Sequence, residues 1–387
     1  DTEARSKQLA KALLKSGVKL GDRIGTLAWN THRHLELYYG VSGIGAICHT
    51  VNPRLFLDQI VYICRHAQDT ALFFDLSFLE IVEKLVAECP SIKTWVALCE
   101  EDELPAQAKV PGLISYERFI GSETPDFNWP SFDENTASSL CYTSGTTGNP
   151  KGVVYSHRSQ ILHSYAAAAP DCFNLSARDV VLPGSSMYHA NAWGVVYAAT
   201  LVGAKLVLPG SKLDGESLTD LIEAEKVTWS SGVPTIWSAA AQYLEASGRR
   251  VDSLERLIIG GAACPFSLIE TYRTKFDVEV RQIWGMTETS PLGVVNTFKS
   301  KHAALSEDER DDILRKQGRV VYGVQIEIVD SEGRPLPHDG KAFGDLLVKG
   351  WWIASGYFGH DTSSLNAEGW FATGAVGTIA EAGYMRI

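Results

Sequence analysis

Leu140-Cys141-Tyr142-Thr143-Ser144-Gly145-Thr146-Thr147-Gly148-Asn149-Pro150-Lys151-Gly152-Val153-Val154-Tyr155 decides the fold. Apolar, strand-length runs flank a stretch rich in Gly, Ser and Thr that ends on one Lys. Glycines let the backbone approach an anion and present its N–H groups, the hydroxyls add donors, and the lysine supplies a compact point charge. Such chemistry suits a polyphosphate. The order differs from the Walker A pattern, in which Gly-Lys-Ser/Thr opens a helix. Here Lys151 precedes Gly152 and a strand follows, so the segment predicts a hairpin over phosphates. A polar surface turn needs neither the hydroxyls nor the lysine.

Outward from this hairpin, short β-branched runs alternate with helical patterns from about residue 20 to 285. Arg23–Trp29, Thr70–Phe74, Thr94–Leu98, Asp179–Leu182, Ala204–Leu208, Val227–Ser230, Arg256–Ile259 and Glu279–Ile283 have strand length and composition. Asn30 is placed to cap a helix carrying Leu35, Leu37, Tyr38 and Val41. Phe78–Cys89, Glu216–Lys226 and Pro234–Ser247 have helical spacing, the last with Pro234 at its first position. This alternation implies parallel sheets covered on both faces. After Pro291 the texture changes. Ile326–Val329, Gly344–Val348, Tyr357–His360 and Val376–Ile379 are separated by Gly-rich turns such as Ser331-Glu332-Gly333-Arg334-Pro335, which predicts a small antiparallel β-subdomain. The charged run 300–317 reads as an exposed helix or mobile excursion.

The 387 residues suggest two or three domains and allow a core that needs no staple. Hydrophobic residues at 45% and charged residues at 21% exclude a disordered, collagenous or coiled-coil chain. A net charge of −11 disfavours nucleic acid as a partner, because phosphate-backbone affinity rests on clustered Lys and Arg. Cys48, Cys64, Cys89, Cys99, Cys141, Cys172 and Cys264 are odd in number and form no CxxC pair. They favour a reducing, cytoplasmic compartment over a disulfide framework or thiolate zinc site. The apolar run Gly194–Ala204 is too short to span a bilayer, and no signal-peptide pattern opens the chain. Asp1 falls inside a helical pattern, so a preceding segment is expected. Gly184-Ser185-Ser186 lacks the GxSxG elbow of a serine hydrolase.

Thr143–Lys151 resembles the phosphate-loop signature of the adenylate-forming superfamily: acyl-CoA synthetases, peptide-synthetase adenylation domains and luciferases. Ile283-Trp284-Gly285-Met286-Thr287-Glu288-Thr289-Ser290-Pro291 resembles the family's aromatic-glycine-x-threonine-glutamate motif, and Gly260-Gly261-Ala262-Ala263 its adenine-binding turn. The similarity covers nearly the whole chain and is greatest to medium- and long-chain fatty-acyl-CoA ligases. It implies two doubly wound αβαβα subdomains with mostly parallel sheets plus a β-barrel-like antiparallel subdomain. The divisions fall at 1–170, with the phosphate loop; 171–291, with the acyl and adenine sites; and 292–387, rich in β-structure. A mobile C-terminal domain of about 100 residues, carrying a second lysine, is expected after Ile387.

The resemblance also implies residue roles. Thr143, Ser144, Gly145, Thr146, Thr147, Gly148 and Lys151 would hold ATP phosphates. Gly261, Ala262, Ala263, Gln282, Ile283, Trp284, Gly285, Met286 and Thr287 would surround the nucleotide. Glu288 would ligate Mg2+, with Thr143 on the same ion or its waters. Met187-Tyr188-His189-Ala190-Asn191-Ala192-Trp193-Gly194 resembles the acyl segment, with His189 near the reacting carboxylate and Trp193 as an aromatic gate. Val233, Pro234, Trp237 and Gly260 would form another acyl wall. A core tryptophan and a structural histidine are the plain alternatives for Trp193 and His189. Lys151, Glu288, Thr287 and His189 form the expected catalytic set.

The implied reaction joins a small-molecule carboxylic acid to coenzyme A through an acyl-adenylate, with ATP and Mg2+, in a homodimer without transmembrane segments. Loading of a carrier protein, or nucleotide and acyl binding without catalysis, are the alternatives. One departure supports the last. In Trp370-Phe371-Ala372-Thr373-Gly374-Ala375-Val376 the resemblance places a ribose-binding aspartate at Ala375, and Ala380 and Ala382 also stand where acids are usual. Natural substitution, engineering and side chains unbuilt at a disordered end would each produce this pattern; the disordered end is the expectation.

Overall fold

The structure is a computed structural model describing residues 1–143 and 148–387. The chain forms two compact units. The first comprises Asp1–Ser159, Ser186–Asn191 and Tyr357–Asp361; the second comprises Gln160–Ser185, Ala192–Gly356 and Thr362–Ile387.

The first unit is built on strands β1 (Arg23–Leu27), β2 (Ile47–Thr50), β3 (Ala71–Phe74), β4 (Thr94–Ala97), β5 (Ile114–Ser115), β6 (Ala137–Tyr142) and β7 (Gly152–Ser156). Their order is β5-β4-β3-β1-β2-β6-β7. All neighbours are parallel except β6 and β7, which form the expected antiparallel hairpin. β2 and β3 are buried at every position, as strands covered on both faces must be. The core beside them gathers Leu27, Leu72, Phe74, Val82, Leu85 and Trp95. Helix His32–Ser42 is capped by Thr31, whose Oγ1 accepts from the His34 N–H, and not by Asn30. The Asn30 side chain instead accepts from the Met187 N–H at 2.7 Å.

The second unit carries β8 (Val180–Pro183), β9 (Lys205–Leu206), β10 (Trp229–Gly232), β11 (Arg256–Ile259), β12 (Glu279–Trp284), β13 (Val294–Val295) and β14 (Arg319–Val320), in the order β14-β13-β12-β11-β10-β8-β9. β9 to β12 are parallel with β8; β13 and β14 add antiparallel edge strands. A separate antiparallel sheet contains β15 (Val324–Val329), β16 (Gly344–Gly350), β17 (Phe371–Ile379) and β18 (Met385–Arg386). Two mostly parallel α/β sheets and one small antiparallel sheet are therefore present, as the resemblance implies and as the strand–helix alternation and the Gly-rich texture after Pro291 lead one to expect.

The differences are local. Tyr357–His360 is a turn, not a strand: its backbone bonds join no ladder, and Phe358 N–H donates instead to the Gly152 carbonyl. β10 begins two residues later than expected, because Val227 N–H still closes the preceding helix onto Ile222. Residues 300–317 hold a 3-10 turn, Ser300–Ala304, and a helix, Glu307–Leu314. His302, Ile313 and Leu314 bury one face of this stretch, so it is packed. Ala375 lies within the nine-residue strand β17 and not in a disordered end.

Candidate active site

The β6–β7 hairpin delivers the polyphosphate candidates of the first unit. Ser144, Gly145, Thr146 and Thr147 lie outside the described residues. On either side of them, Thr143 N–H donates to the Lys151 carbonyl at 2.9 Å, and Lys151 N–H to Thr143 Oγ1 at 3.3 Å. These bonds pin the two ends of the segment together. Gly148 has φ +156° and open space around it. Gly152 has no such room: a Cβ there would lie 3.0 Å from Leu140, Phe358 and Tyr142 atoms at once. The turn at 357–361 docks here. Lys151 Nζ lies 4.9 Å from the centroid of the Tyr357 ring.

Beneath Thr143, a polar chain runs into the sheet. Tyr142 hydroxyl meets His66 Nδ1 at 2.7 Å, and the His49 ring lies 5.2 Å from the Tyr142 ring. His49 Nδ1 is 2.8 and 2.9 Å from the two Asp69 carboxylate oxygens, with both residues fully buried. Burial pushes the Asp69 carboxyl above its usual range, while His49 and the Cys64 thiol pull it back. Neither this pair nor Tyr357 carried a sequence signal. His49 and Asp69 are 20 residues apart, and Tyr357 is separated from Lys151 by most of the second unit.

In the second unit the candidates gather at the carboxyl ends of neighbouring parallel strands, where open α/β sheets bind ligands. β10 ends at Gly232 and leads to Val233-Pro234; β11 ends at Ile259 and leads to the exposed turn Gly261, Ala262 and Ala263. β12 ends at half-buried Trp284, whose ring packs against Gly293. Gly260 and Gly285 are forced by space. A Cβ on Gly260 would lie 2.5 Å from Ile283, and one on Gly285 would lie 1.5 Å from the Pro291 oxygen. Met286 opens the 3-10 turn Thr287–Thr289, in which Thr289 Oγ1 accepts from Met286 N–H at 2.9 Å. Glu288 in this turn is only 5% exposed. Its backbone carbonyl accepts from Ala354 N–H at 2.8 Å, so the residue is fixed by its main chain. Gln282 is buried with its amide donating to the Leu314 carbonyl. That bond ties β12 to the end of helix Glu307–Leu314.

The acyl candidates divide. A Cβ on Gly261 would lie 3.1 Å from Val233 and 3.6 Å from the Trp193 indole, so these three meet. Trp193 is 5% exposed and packs in a core with Val195, Trp229, Ile283 and Leu292. Trp237 is fully buried, edge-on to Tyr272 with ring centroids 6.2 Å apart, and its Nε1 finds no partner among the described residues. Pro234 is buried as the first residue of helix Pro234–Ser247. His189 belongs to the first unit and keeps exposed surface, yet desolvation by its surroundings lowers its pKa. Its segment is held by Tyr38 hydroxyl on the Met187 carbonyl and by Asn191 Nδ2 on Ser139 Oγ at 2.8 Å.

Between His189 and Gly194 the backbone turns left-handed. Ala190, Asn191, Ala192 and Trp193 have φ of 43, 53, 50 and 60°, and Gly194 continues at 71°. Left-handed residues with a Cβ cost about 1–2 kcal/mol each, and such strain collects at functional sites. Sequence periodicity alone gives no sign of it.

Ala375 sits at an irregularity where β17 shifts register against β16 between Asp345 and Leu347. Thr373 hydroxyl donates to the Leu346 carbonyl at 2.8 Å and accepts from Ala375 N–H at 3.1 Å.

Comparison with known proteins identifies the family. The sequence profile of the family "AMP-binding enzyme" matches residues 1–358, and the chain belongs to that family. It is 49% identical to a medium-chain-fatty-acid–CoA ligase of Ectopseudomonas oleovorans over 387 residues, covering 100% of this chain and 71% of the relative. It is also 49% identical to a 3-methylmercaptopropionyl-CoA ligase of Ruegeria lacuscaerulensis, covering 99% of this chain and 71% of the relative. The crystal structure of the anthranilate CoA ligase AuaEII superposes over 100% of this chain and 71% of its own, with a TM-score of 0.88 at 22% identity.

Proposed function

We propose that this protein is an AMP-forming acyl-CoA ligase that activates an aliphatic carboxylic acid of medium or long chain, or a thioether acid of similar shape. One observation carries the reading: Val233, the Gly261–Ala263 turn, Trp284 and buried Glu288 all lie at or just after the carboxyl ends of adjacent parallel strands β10, β11 and β12. In the first unit, Lys151 supplies a cation for phosphate. Relatives of equal identity act, by their names, on fatty and methylmercapto acids. An apolar wall of Trp193 and Val233 suits both.

The donor chemistry fits Mg2+. Glu288 offers a buried carboxylate, the kind of oxygen ligand that a hard cation requires, and phosphate oxygens would supply others. When bound, Mg2+ neutralises charge on the phosphates. The residues do the rest. Lys151 balances phosphate charge, Trp284 and the Gly261–Ala263 turn flank adenine, and His189 orients the acid. No general base is needed, because a carboxylic acid of pKa about 4 to 5 is ionised at neutral pH. Its carboxylate oxygen attacks the α-phosphorus and pyrophosphate leaves. The coenzyme A thiol then attacks the acyl carbon, and AMP leaves. Catalysis is positioning plus charge neutralisation.

Pyrophosphate exchange followed by thioester formation across a panel of acids tests the reading. Exchange with aliphatic acids and ATP is expected; its absence with every acid refutes it. A homodimer in a reducing, cytoplasmic compartment belongs to the same proposal, and light scattering after gel filtration checks the dimer.

Two variants sharpen it. Trp193→Ala should shift chain-length preference several-fold; a folded variant with an unchanged profile would make Trp193 a core residue only. Ala375→Asp should tighten AMP binding at least tenfold. Hydrogen bonds to a charged acceptor contribute about 1.5–3 kcal/mol each, and tenfold needs about 1.4 kcal/mol. Equal affinities by calorimetry would remove Ala375 from the ribose site.

A further inference from the structure

Lys151 does not hang free beside its loop. Its ammonium faces the Tyr357 ring at 4.9 Å, well inside the reach of a cation–π contact. The contact is built from both sides. Phe358 N–H donates to the Gly152 carbonyl at 2.8 Å, which fixes the turn against the residue after the lysine. A Cβ on Gly152 would lie 3.0 Å from Phe358 Cβ, so the missing side chain permits this approach. The Phe358 ring packs edge-on against His66 at 5.7 Å, and His66 holds the Tyr142 hydroxyl. Tyr357 itself meets the His360 ring at 6.1 Å. The turn is thus anchored on the same hairpin that carries the lysine.

We propose that Tyr357 is a positioning residue for Lys151, holding its ammonium in place ahead of nucleotide binding and releasing it to the polyphosphate. A lysine loses considerable side-chain freedom when fixed. A ring that already restricts it lowers that cost at the moment ATP binds, and an uncharged face gives the cation up readily to phosphate. A carboxylate in the same place would compete with the nucleotide. The inference rests on the reading of Lys151 as a phosphate ligand.

The test separates the two. In pyrophosphate exchange, Tyr357→Leu should raise KM for ATP about two- to fivefold, the range of an exposed cation–π contact, with kcat changed less. Tyr357→Phe, which keeps the ring, should restore most of it. In a Lys151→Met background, Tyr357→Leu should add nothing. If Lys151→Met leaves KM for ATP unaltered, the phosphate reading itself fails. If Lys151→Met raises KM but Tyr357→Leu does not, only the role of Tyr357 fails. A spectroscopic readout guards against variants that fold poorly. After reductive 13C-methylation, the Lys151 resonance, assigned by its loss in Lys151→Met, should lie upfield from the ring current of Tyr357. It should move downfield when ATP and Mg2+ are added. A resonance at the position of an exposed lysine in the unsubstituted protein overturns the proposal.

Discussion

Glu288→Gln is expected to lower pyrophosphate exchange roughly 10²- to 10³-fold, the scale on which removing one charge-stabilising group acts. The substitution keeps the size of the side chain and removes only its charge. The surrounding turn should survive, because it is held by main-chain bonds: Thr289 N–H to the Met286 carbonyl at 2.8 Å and Ala354 N–H to the Glu288 carbonyl at 2.8 Å. The melting temperature should therefore stay close to that of the parent. The Mg2+ concentration giving half-maximal rate should rise, since a neutral amide is a poorer ligand for a hard cation than a carboxylate. Near-parental exchange in a folded variant would take Glu288 out of the metal site. A large drop in melting temperature would make its buried carboxylate a structural group.

The fold was legible because its signals are local. β11 and helix Pro234–Ser247 have the bounds that their composition and the N1 proline predict. The phosphate hairpin was legible too, since Gly and Thr between apolar strands specify a turn whatever surrounds it. Elements decided by distant partners were not. Tyr357–His360 has strand-like residues, but the Gly152 carbonyl, 206 residues before Phe358 (358 − 152 = 206), takes the bond that a ladder would use. Asn30 has the chemistry of a cap, yet Met187 recruits it and Thr31 caps instead. The candidate site divides the same way. Glu288 and Lys151 are proposed through their motifs. The left-handed turn at 190–194 and the Asp69–His49 pair were not legible, because φ angles and buried pairs leave no mark in residue spacing.

That buried pair gives a second large effect. Asp69→Ala is expected to destabilise the protein by about 1–3 kcal/mol, the cost of leaving a buried hydrogen-bonding group without its partner. His49 explains the size. Its Nε2 already has no partner among the described residues, so losing Asp69 leaves both ring nitrogens without one in a site with no solvent. Asp69 also lies against β1, where a Cβ on Gly25 would come within 3.1 Å of Oδ2 and 2.7 Å of Leu72 Cδ1. The pH dependence has a definite sign. Burial raises the Asp69 pKa in the folded state. The native protein therefore holds a proton that the unfolded chain has released, and this part of the stability is present at low pH and lost as pH rises through the raised pKa. Asp69→Asn should flatten that slope, because an amide resembles the protonated acid and its oxygen still accepts from His49 Nδ1–H. It should cost less than alanine for the same reason. Urea unfolding of the three proteins from about pH 3, below the ordinary aspartate pKa of about 3.9, upward through neutral pH decides it. An alanine variant as stable as the parent, or an asparagine variant that keeps the full slope, would mean that the proton resides elsewhere. The Tyr142 ring lies tilted against His49, with centroids 5.2 Å apart, directly before Thr143, so a loosened pair should also raise KM for ATP in whatever fraction remains folded.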